Sequence, residues 1–169
     1  SSSNFWVTGG GDVISKGPDM DVRAFGATCN GSGDDTAAIQ AAIDAAEVSG
    51  GVVRFPIGDC RITSTLTVDS SSVMLKGSGS FANTDVGSTT TKGTTLSWAT
   101  GAGGPIVKFT AIIGASNQAI KRVGVTDMNF ECAGYANIGL QLVSIQYSIF
   151  HDLYFRNCTD AAVDMNTVA

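Results

Sequence analysis

Two aspartates hold matching places in two similar segments near the end of the sequence. Asp127 begins the segment DMNFE at 127–131, and Asp152 begins the segment DLYFR at 152–156. If these segments stack as neighbouring strands about 4.8 Å apart, their carboxyl groups fall near the ~5–10 Å separation that glycoside hydrolysis requires of its two acids. Asp127 and Asp152, with Glu131 nearby, are therefore the candidate catalytic residues. The simpler interpretation is that both aspartates lie at solvated turns beside the strands.

Three aromatic side chains are candidates for contact with a sugar. Trp98, Tyr135 and Tyr154 are scattered along the second half of the sequence. Aromatic rings offer large, rigid, partly apolar faces on which a sugar ring can stack. Scattered aromatics also belong to ordinary partly buried packing, so both interpretations stay open for these three residues.

The other residues with chemical potential form no recognisable site. The four cysteines contain no CxxC pair and His151 is the only histidine, so a zinc site is not predicted. His151 is interpreted as a structural residue. The acids are dispersed, which leaves calcium-assisted elimination without an acidic cluster. The simpler interpretation of Glu131 and Arg156 is a cross-strand ion pair and not a catalytic pair. Such an ion pair adds little stability where it is exposed. The sequence thus predicts no metal and no cofactor.

Composition and charge exclude several classes of protein. The net charge is −5 with no run of Lys or Arg, so nucleic acid is not an expected partner. Apolar stretches stay far below the roughly 18 residues that span a bilayer, so membrane insertion is not expected. Charged residues make up only 15% of the chain and glycine is abundant at 21 residues, which favours many short strands and turns over helical bundles.

One amphipathic helix is predicted near the start of the chain. Ile39, Ala42, Ile43 and Ala46 follow at helical spacing, which predicts a helix over about 35–48. Asp34 and Asp35 precede it and suit helix capping better than a catalytic carboxylate pair, while Ser49, Gly50 and Gly51 end it.

After residue 51 the pattern becomes one of short strands separated by turns. The predicted strands are 52–55, 61–63, 66–68, 73–76, 95–98, 106–109, 123–130, 138–143, 149–155 and 161–165. Residues 127–131 match 152–156, and residues 138–142 match 161–165. Repeats of 20 to 30 residues with two or three strands each are typical of a β-solenoid, in which each coil buries its apolar face against the next.

The remaining segments define the predicted domain limits. Residues 1–20 are expected to be a lead-in arm or linker, residues 21–27 a short strand, and residues 78–94 an exposed loop. Residues 21–169 are expected to be the N-terminal part of the solenoid. Because no polar capping element follows the last repeat, we expect the solenoid to continue beyond the C-terminal end of this chain.

Three stretches together resemble a known superfamily. Residues 21–27 (DVRAFGA), 33–46 (GDDTAAIQAAIDAA) and 50–62 (GGVVRFPIGDCRI) resemble the N-terminal signature of pectate-lyase-superfamily proteins. The resemblance implies an all-β fold, a right-handed single-stranded parallel β-helix with an N-terminal capping α-helix. The superfamily includes bacteriophage tailspike depolymerases, polygalacturonase-like hydrolases, glucanases and uronate epimerases.

The character of the chain is closest to that of the tailspike depolymerases. The resemblance therefore implies an extracellular or virion-borne protein that binds and cleaves a polysaccharide, and the likeness to tailspikes implies a homotrimer. Its partner would be a bacterial surface glycan or a plant or algal polyuronate. The alternatives are a secreted polygalacturonase-, glucanase- or epimerase-like enzyme and a non-catalytic glycan-binding adhesin or fibre segment. Motifs typical of polygalacturonases are missing after residue 51, which leaves the chemistry open.

The cysteines depart from the superfamily pattern. Family members commonly have the sequence Gly-Asp-Gly where this chain has Cys29, Asn30 and Gly31, and an aromatic residue where it has Cys60. A Cys29–Cys60 disulfide and two free thiols are both compatible with the sequence, and the state of Cys132 and Cys158 is equally open.

Overall fold

The computed structural model describes residues 5–7, 13–15, 18–80, 93–101, 103–111 and 119–166. The elements in these ranges are β1 (Phe5–Val7), β2 (Val13–Ser15), β3 (Asp19–Asp21), a 3₁₀ turn (Val22–Phe25), α1 (Thr36–Ser49), β4 (Gly51–Arg54), β5 (Gly58–Ile62), β6 (Leu66–Val68), β7 (Val73–Lys76), β8 (Thr94–Trp98), β9 (Val107–Thr110), β10 (Ile120–Lys121), β11 (Gly124–Glu131), β12 (Ile138–Val143), β13 (Ile145–Gln146), β14 (Ile149–Arg156) and β15 (Ala161–Asn166).

The strands from β3 onward pair in parallel and form two principal sheets. A seven-stranded sheet has the order β3-β4-β7-β11-β8-β5, with β14 paired to β11, and a four-stranded sheet has the order β15-β12-β9-β6. β10 and β13 form a further parallel pair, and β1 with β2 forms an antiparallel pair. The chain passes from one principal sheet to the other and back, so successive coils stack as in a parallel β-helix.

The repeats seen in the sequence are confirmed by the strand register. Glu131 pairs with Arg156 across β11 and β14, and Leu140 pairs with Val163 across β12 and β15. These pairs carry the two offsets that the matching segments predicted. The strands predicted after residue 51 all correspond to observed ones, with shifts of a few residues at their ends. Sequence patterning did not anticipate β3, β10 or β13, which are only two or three residues long.

The two longest strands bend at aspartates. The backbone of Asp127 has φ 59° and that of Asp152 has φ 53°, in the left-handed region that non-glycine residues seldom adopt. Before the bend, β11 pairs with β7; after it, β11 pairs with β8. The seven-stranded sheet therefore has a first half (β3, β4, β7 and the starts of β11 and β14) and a second half (β5, β8 and the ends of β11 and β14).

The core lies inside the coils, where side chains of successive strands form apolar rows. Cys60, Leu96 and Phe130 occupy one row and are at most 1% exposed. Phe155 continues that row and stacks on Phe130 with ring centroids 4.9 Å apart. Rows of this kind remove apolar area from water at every coil, and this burial is the main stabilising contribution of the fold.

Helix α1 confirms the predicted helix and buries its predicted face. Ile39, Ala42, Ile43 and Ala46 have no exposed surface, and the helix contacts β3, β4, β6 and β7. The helix ends at Ser49 and is followed by Gly50, whose φ of 70° is easily reached without a Cβ. No helix among the described residues combines the length and the apolar character needed to cross a membrane.

The two aspartates before α1 act differently from each other. Asp34 Oδ1 accepts from the backbone N–H of Thr36, 3.0 Å away, as a capping residue does. The Thr36 hydroxyl also donates to the Asp34 carboxylate, and this hydrogen bond is the main cause that lowers the pKa of Asp34. Asp35 makes no side-chain capping bond. Its buried carboxylate instead accepts from the backbone N–H groups of Thr28 (2.7 Å) and Cys29 (3.0 Å), so the capping interpretation is corrected for Asp35.

The predicted strand at 21–27 is wrong. The strand β3 ends at Asp21, and Val22–Phe25 form a 3₁₀ turn. The Asp21 carboxylate accepts from the backbone N–H of Arg23 at 2.9 Å, which begins the turn, and Gly26 ends it with φ 104°. A local side-chain cap therefore overrides the alternating pattern.

Both cysteine pairs are disulfide-bonded. Cys29–Cys60 ties the segment before α1 to β5, and Cys132–Cys158 joins the residues that follow β11 and β14. The sequence had left both states open. Each bond closes a loop of about 30 residues, long enough to remove substantial entropy from the unfolded chain.

The interior is open at β15. Along one interior row, Val68, Phe109 and Leu142 are at most 4% exposed, whereas Met165 is 73% exposed. Val163, in the adjacent row, is also exposed. An apolar cavity of about 330 Å³ lies at this end. Among the described strands, β15 pairs with β12 alone, so one edge of β15 is uncovered.

The predicted arm and the predicted loop fall largely outside the described residues. Residues 81–92 cover most of the predicted loop at 78–94, and β8 begins at Thr94. Within the predicted arm, the structure describes the backbone of β1 and β2 and the start of β3 at Asp19, where the chain joins the first sheet.

Candidate functional site

The bends of β11 and β14 bring four titratable side chains to one region of the surface. Thr126 pairs with His151 and Met128 with Leu153, so Asp127 and Asp152 occupy equivalent positions one coil apart. Lys76 of β7 pairs with Thr126 on the other side of β11. We call Lys76, Asp127, His151 and Asp152 the bend cluster.

Each carboxylate of the bend cluster has a basic neighbour. Lys76 Nζ lies 3.7 Å from Asp127 Oδ2, and the Thr126 hydroxyl donates to the same oxygen at 2.9 Å. His151 Nδ1 lies 2.7 Å from Asp152 Oδ2. The Asp127 side chain is 30% exposed and that of Asp152 is 65% exposed, so both are accessible to a large ligand. Two accessible carboxyl groups beside a cation and an imidazole can hold and exchange protons.

Close backbone packing fixes the position of this bend. The Gly77 N–H donates to Thr126 O at 2.9 Å, and the Gly79 N–H donates to Asp127 O at 3.1 Å. A Cβ added to Gly77 would lie 2.1 Å from Asp127 O. Only glycine allows the chain after β7 to approach the bend so closely.

Glu131, the third predicted acid, does not join the bend cluster. It lies four residues beyond Asp127 along β11, up to about 13 Å away at 3.3 Å per residue. Its carboxylate accepts from Arg156 Nε and from Asn157 Nδ2, the latter at 2.8 Å. Glu131 therefore forms the cross-coil ion pair with Arg156 that was the alternative to a catalytic role.

The three predicted sugar-binding aromatics have different surroundings. Trp98 is 5% exposed and its indole N–H donates to Thr100 O at 3.1 Å, so its ring lies in the core and is not offered to a sugar. Tyr135 is 50% exposed in the turn after β11, and Tyr154 is 39% exposed on β14. These two rings are available at the surface, and they lie on different elements.

The outward face of the second half of the seven-stranded sheet carries polar residues that sequence patterning missed. Alternate residues point outward because their neighbours Cys60, Leu96 and Phe130 fill the core. One outward row is Asp59, Thr95, Asn129 and Tyr154, and the other is Arg61, Ser97, Glu131 and Arg156. We call these two rows the Asn129 face. The four strands lie far apart in sequence, so only their register reveals the rows.

Asp59 is the most perturbed carboxyl group on the Asn129 face. Burial, helped by the negative charges of Glu131 and Asp35, raises the pKa of Asp59 above its ordinary value. The Ser97 hydroxyl, which donates to Asp59 Oδ1 at 2.6 Å, and the charge of Arg61 partly oppose this rise. Asp59 is thus a carboxyl group that holds its proton more readily than a solvated one.

The four-stranded sheet also has an outward polar row. It contains Thr67, Lys108, Gln141 and Asp164, each one coil from the next. Gln141 Nε2 donates to Asp164 Oδ2 at 3.1 Å, and Asn166 Nδ2 donates to the same oxygen at 2.6 Å. These amides orient the Asp164 carboxylate, and a cationic side chain lies two coils away. The sequence held a weak signal for this row, since Gln141 and Asp164 occupy equivalent places in the second repeat.

A buried group near Cys29 contains atoms that resemble a metal-ligand set. Cys29 Sγ, Cys60 Sγ and a carboxylate oxygen of Asp35 all lie within 4.8 Å of one another. The two sulfurs are joined to each other, and the carboxylate accepts three hydrogen bonds from Thr28 and Cys29. The group therefore stabilises the segment before α1 as it stands.

Comparison with protein families gives one match over most of the chain. The model of the family described as rhamnogalacturonase A/epimerase, pectate lyase-like, matches residues 20–117. This range runs from β3 to the residues after β9 and contains α1, Cys29, Cys60 and Asp59.

Curated relatives match shorter stretches. Mannuronan C5-epimerase AlgE3 from Azotobacter vinelandii is 54% identical over 46 residues, which are 27% of this chain and 2% of the relative. Mannuronan C5-epimerase AlgE4 from the same organism is 40% identical over 75 residues, which are 44% of this chain and 14% of the relative. The chain thus corresponds to a small part of the length of these relatives.

Solved structures match over most of the chain. The Geobacillus virus E2 protein ORF18 superposes with a TM-score of 0.69 at 29% identity, over 83% of this chain and 26% of that protein. The A-module of the Azotobacter vinelandii mannuronan C-5 epimerase AlgE4 superposes with a TM-score of 0.68 at 21% identity, over 88% of this chain and 41% of the module. The second likeness is one of fold.

Proposed function

This chain belongs to the rhamnogalacturonase A/epimerase, pectate lyase-like family, and from that premise we propose that it is the N-terminal β-helix portion of a polysaccharide-binding and polysaccharide-degrading protein. The observation that carries the proposal is the bend cluster, in which Asp127 and Asp152 lie at equivalent bends one coil apart with Lys76 and His151 beside them. The degrading reaction is either hydrolysis or elimination.

The cluster supplies the groups that either reaction needs. In hydrolysis, one protonated carboxyl donates its proton to the glycosidic oxygen while the other activates water or attacks the sugar carbon. In elimination, a base removes the proton on the carbon beside a uronate carboxylate, and a carbon–carbon double bond forms as the glycosidic bond on the next carbon breaks. The departing oxygen takes a proton from an acid or from water, and a cation such as Lys76 would balance the charge of the uronate carboxylate. Lys76 contacts Asp127 and His151 contacts Asp152, so each aspartate has a group with basic nitrogen beside it.

The architecture completes the proposal. We assign the coils a right-handed path as a single-stranded parallel β-helix, with α1 as the cap over its N-terminal end, since α1 contacts β3, β4, β6 and β7 of the earliest coils. Residues 1–20 would form the lead-in arm, and residues 21–169 the cap and the first coils. The exposed Val163 and Met165 support a further coil packed on β15.

We propose a tailspike type of protein, borne on a virion or secreted, that acts as a homotrimer on bacterial surface glycan. The likeness to a Geobacillus virus E2 protein at 29% identity supports this setting. The two disulfides suit an oxidising compartment outside the cell. The matches to mannuronan C5-epimerases favour the alternative of a secreted enzyme acting on a polyuronate, because both relatives are named for a uronate polymer.

A non-catalytic glycan-binding segment is the second candidate function. One observation favours it: the three predicted acids all have basic partners, Asp127 with Lys76, Asp152 with His151 and Glu131 with Arg156. The outward row Lys108, Gln141 and Asp164 would then serve as a strip that binds successive sugars, one per coil.

The test is to assay the chain on capsular, O-antigen, polymannuronate and polygalacturonate polysaccharides. New reducing ends report hydrolysis, and the absorbance of unsaturated uronate reports elimination. Asp127→Asn and Asp152→Asn are expected to lower turnover by about 10²–10⁴-fold, the usual contribution of a general acid or base, with binding retained. Asp160→Asn, an exposed carboxylate outside the bend cluster, is the matched control and is expected to keep full activity.

The outcomes separate the candidates. Binding without new reducing ends or unsaturated uronate supports the second candidate and contradicts polysaccharide degradation by this chain. Turnover that survives both substitutions places the chemistry away from the bend cluster. A chain that neither binds nor changes any of these polysaccharides contradicts both candidates.

A further inference from the structure

Asn30 is followed by Gly31, and this pair is the only Asn-Gly dipeptide in the sequence. The backbone nitrogen of the residue after an asparagine can attack the side-chain amide carbon, and glycine allows this attack most readily because it has no Cβ to obstruct the ring that forms. Asn30 is exposed, so water has access to it. The dipeptide is therefore a place where the chain can change its own covalent structure.

The side-chain carbonyl of Asn30 is held by two donors. The backbone N–H of Ser32 donates to Asn30 Oδ1 at 3.0 Å, and the Ser32 hydroxyl donates to the same oxygen at 2.7 Å. When a nucleophile adds to the amide carbon, negative charge develops on this oxygen, and two preorganised donors stabilise such charge. The amide that would be attacked is thus already polarised in the folded chain.

The attacking nitrogen is restrained by the neighbouring strand β5. The Gly31 N–H donates to Asp59 O at 2.8 Å, and Asn30 forms a parallel β-bridge with Asp59. The contact is close, because a Cβ on Gly31 would lie 3.4 Å from Asp59 Oδ2. A backbone nitrogen held in this way becomes free to react when the segment opens locally. The folded segment therefore combines a polarised carbonyl with a restrained nitrogen.

The Cys29–Cys60 disulfide keeps this segment closed. It joins the residue before Asn30 to the residue after Asp59, so it lies directly beside the hydrogen bond that restrains Gly31. Cys29 is 4% exposed and Cys60 has no exposed surface. A covalent tie at this place limits the open conformations of the segment, and its removal increases their population. The disulfide therefore governs how often the nitrogen of Gly31 is free.

We propose that Asn30 is a modification site, at which spontaneous deamidation gives aspartate or isoaspartate once the Cys29–Cys60 disulfide is absent. The disulfide is absent in a chain kept in a reducing compartment or treated with a dithiol. The Gly31 nitrogen gives its proton to a solvent base and bonds to Asn30 Cγ, the Cγ–Nδ2 bond breaks, and ammonia leaves. Water then opens the resulting succinimide at either carbonyl. The net reaction exchanges ammonia for water and consumes no oxidant or cofactor.

The products weaken the attachment of the segment before α1. Isoaspartate adds a methylene to the main chain at residue 30, which disrupts the bridge from Asn30 to Asp59. Either product also places a new carboxylate at the bridge. Burial, with the charges of Glu131 and Asp35, already raises the pKa of Asp59, so a further negative charge there is unfavourable. The modification is irreversible, so it records that the disulfide has been open.

The test compares the oxidised wild type with the Cys29→Ser/Cys60→Ser variant over several weeks at physiological pH and temperature. The Cys132→Ser/Cys158→Ser variant, which lacks the other disulfide, is the matched control. Peptide mass spectrometry measures the exchange of NH₂ for OH at Asn30, and labelling by isoaspartyl methyltransferase measures isoaspartate. We expect deamidation at least about tenfold faster in the first variant, because loss of a disulfide raises the population of open states by at least that factor. The control is expected to keep the wild-type rate.

Hydrogen exchange separates local opening from unfolding of the whole chain. In the first variant, the exchange rate of the Gly31 amide is expected to rise by the same factor as deamidation, while Phe130 in β11 keeps its protection. Asp35→Ala is a second variant that leaves the disulfide intact and frees the N–H groups of Thr28 and Cys29. It is expected to raise exchange at Gly31 and deamidation by one common, smaller factor.

Four outcomes overturn the proposal. The first is an unchanged deamidation rate in the Cys29→Ser/Cys60→Ser variant, and the second is an equal acceleration in the control. The third is deamidation that rises by a different factor from exchange at Gly31 in both variants. The fourth is loss of protection at Phe130 by the same factor in both variants, because the modification then reports unfolding of the whole chain.

Discussion

Single carboxylates in this chain differ in role even where they are adjacent. Asp34 is partly exposed and accepts from Thr36 and from the Thr63 hydroxyl at 2.7 Å. Asp35 is 3% exposed, and it holds the backbone of Thr28 and Cys29 next to the disulfide to Cys60. One aspartate caps the helix, and its neighbour attaches the helix to the preceding segment.

Substitution of these two residues should therefore have unequal effects. Asp35→Ala leaves the buried N–H of Cys29 and the part-buried N–H of Thr28 without acceptors, and it is expected to lower the free energy of unfolding by about 2–4 kcal/mol. Asp34→Ala removes a cap and is expected to cost about 1 kcal/mol. Urea denaturation measures both, with Asp44→Ala, an exposed carboxylate on α1, as the control. An equal or larger loss for Asp34→Ala would show that capping dominates after all.

At the scale of elements, the bent strands hold the two halves of the large sheet together. β11 pairs with β7 through its start, with β8 through its end and with β14 along most of its length. The contact at the start of β11 is very close, because a Cβ on Gly124 would lie 2.1 Å from Ile149 O and 3.0 Å from the Met74 side chain. Glycine at that position allows three strands to lie in register.

Gly124→Ala is expected to separate the starts of β11 and β14 because the carbonyl of Ile149 belongs to the backbone and cannot move alone. The expected loss is about 3 kcal/mol or more of unfolding free energy, the range of severe overpacking. Gly33→Ala is the matched control, since a Cβ there has one neighbour, Thr28 Oγ1, at 3.4 Å. Chemical denaturation with limited proteolysis of β14 measures the effect, and similar stabilities for the two variants would contradict the close contact.

At the scale of the whole molecule, the described interior rows are buried near α1 and exposed at β15. Ile39 and Ile43 of α1 have no exposed surface. At β15 the same rows end in Val163 and Met165, beside the apolar cavity. An uncovered parallel edge with an apolar face is a template for another strand.

The isolated chain is therefore expected to self-associate through β15 as its concentration rises. Replacing Val163 by Thr and Met165 by Gln together should weaken that association at least about tenfold, because the apolar area available for burial falls. Sedimentation velocity measures it, with Val48→Thr as a control at an isolated exposed apolar residue. A wild-type chain that stays monomeric at high concentration would contradict this expectation and would also weaken the proposed trimer.

Sequence patterning predicted the features that depend on local order. The helix followed from four apolar residues at helical spacing, and the coil register followed from two pairs of matching segments. The equivalence of Asp127 and Asp152 came from the same repeat. The role of Asp35 could not be predicted, because its partners Thr28 and Cys29 contact it only when the chain turns back before α1.

The polar rows lay beyond prediction for a different reason. Asp59 and Asn129 meet on one face through two strand pairings, and the intervening segments have unequal lengths. No periodic pattern in the sequence relates the two residues. The burial of Trp98 was equally hidden, since an aromatic residue at the end of a strand suits either the core or the surface.

The strand pairing has a consequence for biosynthesis. Every described strand from β4 onward that pairs with an earlier strand finds its partner already made: β7 finds β4, β8 finds β5, and β11 finds β7 and β8. A nascent polypeptide leaving the ribosome can thus add one coil after another onto a finished template, with α1 among the first parts to be synthesised. β5 and β6 wait only for β8 and β9, the strands of the following coil, so a search across the whole chain is avoided during translation.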